Sequence, residues 1–128
     1  MTDAEAASAE IVALHRLFES WLGTGEGDPA GFDAAFEDGF AMVMPNGRRL
    51  ERAAVLAFLL GARGSRGAAF RIAIEEVAVL HAAPPLLLMH YVERQWLAGG
   101  IETARRAAAR VRIAPGRPRW RFVPVTGV

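Results

Sequence analysis

The residues best suited to chemistry lie within residues 86–96, the stretch LLLMHYVERQW. An extended strand points alternate side chains to the same face, so Tyr91, Glu93 and Gln95 share one face. Tyr91 is the only tyrosine of the chain. A carboxylate can act as a general base, and a phenol can donate a hydrogen bond to a developing oxyanion. This strand face is therefore the predicted site.

A predicted hairpin brings two more polar groups to this face. Residues 98–100 (AGG) are typical of a turn between two extended runs, so residues 101–113 should fold back beside the first strand. The register that keeps both faces consistent gives three cross-strand pairs: Gln95–Thr103, Glu93–Arg105 and Tyr91–Ala107. Local propensity favours a helix for residues 102–112. Turns bound the segment on both sides and the pairing is self-consistent, so we predict a strand.

Glu93 has two interpretations at this stage. In the catalytic one it is a general base, Tyr91 or Arg105 stabilises an oxyanion, and His15 approaches from the first helix. In the structural one Glu93 and Arg105 form a buried ion pair that fixes the hairpin. The guanidinium would then lower the pKa of the Glu93 carboxyl group and weaken it as a base. We favour the structural interpretation of the pair.

The elements that must position these residues follow from apolar periodicity. The first of three predicted helices begins at a capping box formed by Thr2 and Glu5, and His15 borders its apolar stripe. The loop at residues 61–67 is predicted to be flexible, and the pair Glu75-Glu76 to form a β-bulge. Turns are predicted at 81–85 and 114–118. The other helices are predicted at 29–36 and 51–63, and strands at 39–45, 48–50, 70–80, 86–96, 101–113 and 120–125.

This order of elements predicts one α+β domain over residues 1–128, with a curved, mainly antiparallel sheet wrapped around N-terminal helices. The chain has no cysteine, which excludes disulfides, thiolate zinc sites and a cysteine nucleophile. The three histidines fall on a helix, in a turn and on an outward strand face, so no metal site is predicted. The N-terminus resembles no secretory signal and no apolar run is long enough for a membrane helix. A cytoplasmic location without membrane partners is the expectation.

The charges divide unevenly along the chain. Residues 1–47 hold nine acidic residues and one basic residue, whereas residues 48–128 hold five acidic residues and fourteen basic ones. Every basic residue is an arginine. A basic half can bind nucleic acid, but these arginines alternate with apolar residues as on a solvated strand face, and no row of stacking aromatics accompanies them. We therefore predict no nucleic-acid partner.

Several motifs, taken in order, carry a family resemblance: Glu10-Ile-Val-x-Leu-His15-x-x-Phe18-x-x-Trp21, Phe40-x-Met-Val-x-Pro45-x-Gly47, Tyr91-x-Glu93-x-Gln95, Thr103-x-Arg105 and Pro118-x-Trp120. Over residues 8–125 the chain resembles the nuclear-transport-factor-2-like superfamily, also called the ketosteroid-isomerase or SnoaL-like fold. It is most similar to a small bacterial branch known as a domain of unknown function. The resemblance implies a cone-shaped α+β barrel, an internal hydrophobic pocket and a homodimer formed through the sheet.

The C-terminal segment departs from this family pattern. Members near this branch often end in a tryptophan followed shortly by a His-Glu-Thr run. Here Pro124 and Val125 stand at the histidine and glutamate positions, and only Thr126 matches. Any role carried by that His-Glu pair is therefore not transferred to this chain.

Three functions are consistent with these observations. The first is binding of a small, mostly apolar ligand by a pocket lined by Arg105, Tyr91, Gln95, Thr103, Met44, Trp21 and Trp120. The second is a cofactor-free isomerase, cyclase or dehydratase with Glu93 or His15 as the base and Tyr91 as its partner. The third is a structural or oligomerisation module in which Trp21, Met44 and Trp120 fill the pocket. Fold alone does not decide among them.

The outward face of the central strand is the predicted dimer surface. It carries Val92 and Trp96 between arginines, and an exposed tryptophan on a sheet is a typical interface anchor. We expect Trp96→Glu to give monomers in analytical ultracentrifugation, because a buried carboxylate without a partner opposes association. A dimer that persists unchanged in this variant would exclude this surface.

Overall fold

The computed structural model describes residues 1–113 and 116–127, with the backbone only for residues 125–127. The chain belongs to the α+β class, as predicted. None of the helices in the described part of the chain is both long and apolar enough to cross a membrane. Its elements are α1 (Asp3–Gly23), α2 (Ala30–Ala35), β1 (Phe36–Val43), β2 (Arg49–Glu51), α3 (Arg52–Gly61), β3 (Arg71–Ala83), β4 (Leu86–Trp96), β5 (Glu102–Arg112) and β6 (Arg119–Gly127).

The six strands form one curved sheet that is not closed. Their order across the sheet is β2-β1-β6-β5-β4-β3. All neighbouring pairs are antiparallel except β1 and β6, which run parallel. The mainly antiparallel sheet is confirmed. The parallel pair places the last strand beside the first, so residues distant in the chain share one core.

The hairpin of β4 and β5 has the predicted register. Its cross-strand pairs include Gln95–Thr103, Glu93–Arg105 and Tyr91–Ala107. The segment with helix-forming propensity is therefore a strand. Ala107 and Ala109 point inward and are 4% and 0% exposed, so their small side chains pack in the core. Tertiary pairing outweighs the local preference, which amounts to only a few tenths of a kcal/mol per residue, by order of magnitude.

The predicted β-bulge is confirmed at the pair of glutamates in β3. The register against β4 shifts between Glu75 and Ala78, and Glu76 has a φ of 53°. A non-glycine residue at positive φ is uncommon. The backbone carbonyl of Glu76 accepts a hydrogen bond from His90 Nδ1 at 3.0 Å, which ties the bulge to β4.

Several boundaries differ from the predictions. Phe36 does not end α2 but begins β1, where it pairs with Trp120 of β6. Helix α3 ends at Gly61, two residues before the predicted end. Strand β3 continues to Ala83 because its last residues pair with the start of β4. The pairing of Phe36 with Trp120 joins residues far apart in the chain, so no local pattern contains it. The turn predicted at 114–118 lies partly outside the described residues.

The loop at residues 61–67 was predicted to be flexible, and that prediction is wrong. The backbone N–H groups of Gly64 and Arg66 donate to the carbonyls of Trp21 and Leu22, each at 2.8 Å. Arg63 Nε donates to the carbonyl of Gly25 at 2.7 Å. Carbonyls in the last turn of a helix have no partner within the helix. The loop supplies those partners for α1 and is held in place by them.

One half of the predicted dimer surface is also corrected. Val92 is only 1% exposed, although it lies on the outward-facing side of β4. Its ladder neighbours are Glu75 and Arg106, and ion pairs from these residues cross this part of the sheet. Val92 therefore offers almost no surface to a partner. Trp96, on the same side, is half-buried.

The inward alanines of β5 can be tested by overpacking. Ala109→Leu should lower the free energy of unfolding by about 1–3 kcal/mol, because extra methylene groups enter a filled core. Ala108 is half-exposed on the opposite side of the strand, so Ala108→Leu should change it by less than about 0.5 kcal/mol. Urea unfolding monitored by circular dichroism measures both variants. Equal losses would contradict the orientation of β5.

Candidate functional site

Among the described residues, a cavity of about 200 Å3 lies between α1, α3 and the concave side of the sheet. Its innermost lining is apolar and aromatic and includes Leu14, Phe40, Tyr91 and Trp120, all buried. We call this the cavity floor. The shape follows from the curved sheet, whose inward side chains and helix α1 leave a space that they do not fill.

Other residues that line the cavity are more exposed. Phe58 of α3 lines it with 56% of its surface exposed, and Met44, Leu50, Arg66 and Arg105 line it half-buried. We call these five residues the cavity mouth. The polar groups His15, Glu93 and Gln95 line the cavity as well.

Glu93 is bonded to two neighbours inside this cavity. Its Oε1 lies 3.1 Å from His15 Nε2, and its Oε2 accepts a hydrogen bond from the side-chain amide of Gln95. The side chains of His15 and Glu93 are 4% and 15% exposed. His15 was predicted to approach from the first helix, and the structure places it there. A part-buried His–Glu pair is the polar centre of the site.

The protonation of this pair follows from its geometry. His15 Nδ1 lies 2.8 Å from the carbonyl oxygen of Ile11, one helical turn earlier. A carbonyl oxygen can only accept, so Nδ1 carries a proton. Nε2 then faces a carboxyl oxygen, and a hydrogen bond there requires one proton between the two atoms. The pair therefore holds a single proton, on either His15 or Glu93.

The surroundings of Glu93 favour its charged form. Burial is the largest influence and raises the pKa, but the hydrogen bonds and charge of His15, the Gln95 amide and the charge of Arg105 together hold the pKa of Glu93 below its ordinary value of 4.5. The hydrogen bonds from His15 and Gln95 therefore stabilise Glu93 as a carboxylate.

The prediction of an ion pair between Glu93 and Arg105 is wrong. The two residues are register partners, but in the described part of the chain Glu93 pairs with His15 and no ion pair joins it to Arg105. The reason is that Glu93 points towards α1, where His15 lies directly above it. Arg105 instead lines the cavity mouth, and its charge acts on Glu93 from a distance.

Tyr91 lies at the cavity floor beside the pair. Its ring is 5.2 Å from that of His15 and 6.1 Å from that of Trp120, both in edge-to-face arrangements. Burial first, and then the negative charge of Glu93, raise the pKa of Tyr91 well above its ordinary value of 10.0. Tyr91 is therefore a neutral phenol, which can donate a hydrogen bond but is a poor acid.

The remaining predicted pocket residues divide into two groups. Met44 and Trp120 line the cavity. Trp21 does not, because its indole N–H donates to the Leu59 carbonyl at 2.7 Å and anchors α1 to α3. Thr103 is exposed at the start of β5 and lies outside the lining. Both were expected to contact a ligand, and neither lines this cavity.

Arg66 was not predicted to belong to the site. It lines the cavity mouth from the loop after α3, and its guanidinium stacks over Phe70 at 5.3 Å from the ring centre. The sequence contained one relevant signal, an arginine within a loop rich in glycine. That signal does not distinguish Arg66 from Arg63, which lies over the Trp21 ring outside the cavity.

The fold is similar to several solved structures. A nuclear-transport-factor-2-like protein of unknown function from Pseudomonas aeruginosa is 26% identical with a TM-score of 0.87, and the match covers 96% of this chain and 98% of that one. A nuclear-transport-factor-2-like protein from Cytophaga hutchinsonii is 7% identical over 100% of both chains, with a TM-score of 0.79. A candidate dehydratase of the same family from Streptomyces avermitilis is 14% identical, with a TM-score of 0.79 and coverage of 98% and 96%. The sequence matches no protein-family model and no curated protein.

The single tyrosine allows a direct test of its environment. Because the folded state holds Tyr91 neutral, the unfolded state binds fewer protons above pH 10.0, and the free energy of unfolding should fall as the pH rises beyond that value. We expect tyrosinate absorption to appear only at a higher pH, together with loss of the circular dichroism signal. In urea it should appear near the ordinary value. The Tyr91→Phe variant has no tyrosine and serves as the absorption baseline. Ionisation of Tyr91 near pH 10.0 in the folded protein would contradict its burial.

Proposed function

We propose that this chain, which belongs to the nuclear-transport-factor-2-like superfamily, binds a small, mostly apolar organic molecule with one polar or anionic group near Arg105. The observation that carries the proposal is the composition of the cavity. An apolar, aromatic floor continues into a mouth with two arginines. Ligand sites in proteins are typically apolar clefts with a few well-placed polar groups.

The charges in the cavity favour an anion over a cation. Its described lining contains two arginines, Arg66 and Arg105, and one carboxylate, Glu93, which is hydrogen-bonded to His15. The His15–Glu93 pair is neutral as a unit, so the two arginines give an excess of positive charge. Charges act more strongly in a partly buried site than in water. An anionic group near Arg105 would neutralise part of this excess.

The size of the cavity limits the ligand. An apolar cavity of roughly 150 Å3 is enough to bind benzene. The space of about 200 Å3 found in this chain thus suits a single ring or a short chain with a small substituent. The same space weighs against a purely structural module, in which Trp21, Met44 and Trp120 were expected to fill the pocket.

Catalysis is a second candidate function, favoured by the geometry of the His15–Glu93 pair. A fixed pair with one proton can donate that proton from Nε2 or accept one at the carboxylate, which suits a cofactor-free isomerase, cyclase or dehydratase. Tyr91 can donate a hydrogen bond to an oxyanion. The lowered pKa of Glu93 makes its carboxylate a weaker base than an isolated one.

We also propose that two copies associate through the outward side of the sheet around Trp96. The support is a half-buried tryptophan on a strand face that also carries the half-buried Leu86 and Leu88. Val92 contributes little to this surface because it is already covered. The binding and catalytic proposals do not depend on this association.

Native mass spectrometry of freshly purified protein tests the binding proposal. We expect the wild type to retain a molecule that is lost on denaturation and is retained less by Arg105→Ala. Arg110 is exposed on the same strand and does not line the cavity, so Arg110→Ala is the matched control. Equal retention by Arg105→Ala and the control would remove Arg105 from the site. Absence of any bound molecule, together with no binding of added apolar fragments, would refute the function.

The same measurement on Glu93→Gln separates binding from catalysis. Glutamine keeps the size of the side chain but removes the carboxylate that is hydrogen-bonded to His15. If the chain is an enzyme, the variant should retain an unreacted substrate. It should differ from the molecule in the wild type in mass for a dehydratase, or in chromatographic retention for an isomerase or cyclase. Molecules identical in both mass and retention would contradict the catalytic candidate and leave binding intact.

A further inference from the structure

Arg66 is positioned at the cavity mouth by three separate contacts. Its backbone N–H donates to the Leu22 carbonyl, its guanidinium stacks over Phe70, and the preceding Gly64 is bonded to Trp21. Its side chain lines the cavity from the loop between α3 and β3, whereas Arg105 lines it from β5. Two half-buried arginines from different elements therefore line one cavity. A rigid, planar guanidinium held in this way loses little freedom when it binds.

Three consecutive backbone donors of the loop are already occupied. Phosphate sites typically use several backbone N–H groups that point at the anion. Here the N–H groups of Gly64, Ser65 and Arg66 are bonded to the carbonyls of Trp21, Ala62 and Leu22. An anion beside Arg66 would therefore meet guanidinium groups rather than these three backbone donors. A guanidinium matches the planar carboxylate in a two-point arrangement.

A structural role is the alternative explanation for Arg66. The carboxyl end of α1 carries partial negative charge, which a nearby cation stabilises. Arg63 fulfils the same conditions, since it lies in the same loop, stacks over Trp21 and donates to the Gly25 carbonyl. Only Arg66 of the two lines the cavity. Arg63 is therefore a matched control for everything except contact with a ligand.

We propose that Arg66 and Arg105 together bind the carboxylate of the ligand at the cavity mouth, and that the ligand is a small monocyclic or short-chain organic carboxylate. The inference rests on the proposed binding function and specifies its ligand class. The carboxylate lies at the mouth between the two guanidinium groups, and the apolar part extends to the floor beside Tyr91 and Trp120. His15 and Glu93, which already satisfy each other, face the middle of the ligand.

Titration with paired fragments tests this assignment. The probes are benzoate and cyclohexanecarboxylate, each compared with its primary amide, and ligand-observed NMR measures the affinities at constant salt. We expect the wild type to prefer the carboxylate by roughly tenfold or more, the range of a hydrogen bond to a charged group. Arg66→Gln and Arg105→Gln should bring the preference close to parity. Arg63→Gln should leave it unchanged.

The outcomes separate this inference from the binding function. If amides and carboxylates bind equally to the wild type, the carboxylate assignment is refuted and the binding function stands. If no fragment of either kind binds, both are refuted. If Arg66→Gln keeps the full preference for the carboxylate over the amide, Arg66 has only a structural role and the two-arginine assignment is refuted.

Arg66→Lys covers the case in which Arg66→Gln does not fold. It keeps the charge but loses the planar two-point geometry, so the preference should fall several-fold relative to Arg63→Lys, by order of magnitude. Equal preferences in these two lysine variants would overturn the proposal. Circular dichroism verifies the fold of each variant.

Discussion

The site depends on one hydrogen bond, from His15 Nδ1 to the carbonyl of Ile11. The bond is local to α1 and fixes both the ring orientation and the proton on Nδ1. Nε2 is then directed at Glu93, and the two residues are left with one proton to share. Because this arrangement needs α1 to lie against β4, every contact that seats the helix also sets the protonation of the site.

Three polar anchors seat α1, one in its first half and two near its C-terminal end. Glu10 is buried and accepts hydrogen bonds from the Trp120 indole and from Arg117. Glu19 accepts from the backbone N–H of Ile72 at 2.8 Å, and Trp21 donates to the Leu59 carbonyl. A buried carboxylate without partners is costly, so these bonds also select one position of the helix. The apolar contacts alone would permit the helix to slide.

The pairing of charged side chains also explains the electrostatics of the cavity. Elsewhere in the sheet, Arg112 and Arg121 both pair with the carboxylate of Glu37. Partial burial raises the pKa of Glu37, but the two guanidinium groups hold it below its ordinary value. In the cavity the one carboxylate is taken by His15 and Gln95. The positive charge of Arg66 and Arg105 is thus directed at the opening, where a bound molecule would meet it.

The sequence by itself determined the elements and the central hairpin. Alternation in residues 86–96 defines which side chains share a face. The glycine turn after them then sets the register that places Arg105 opposite Glu93. Only the tertiary structure decided which partner each charged side chain pairs with. His15 and Glu93 are separated by 78 positions, and Arg66 reaches the cavity because its loop satisfies the end of α1. Such contacts depend on how a helix lies on a curved sheet, and no local spacing encodes that placement.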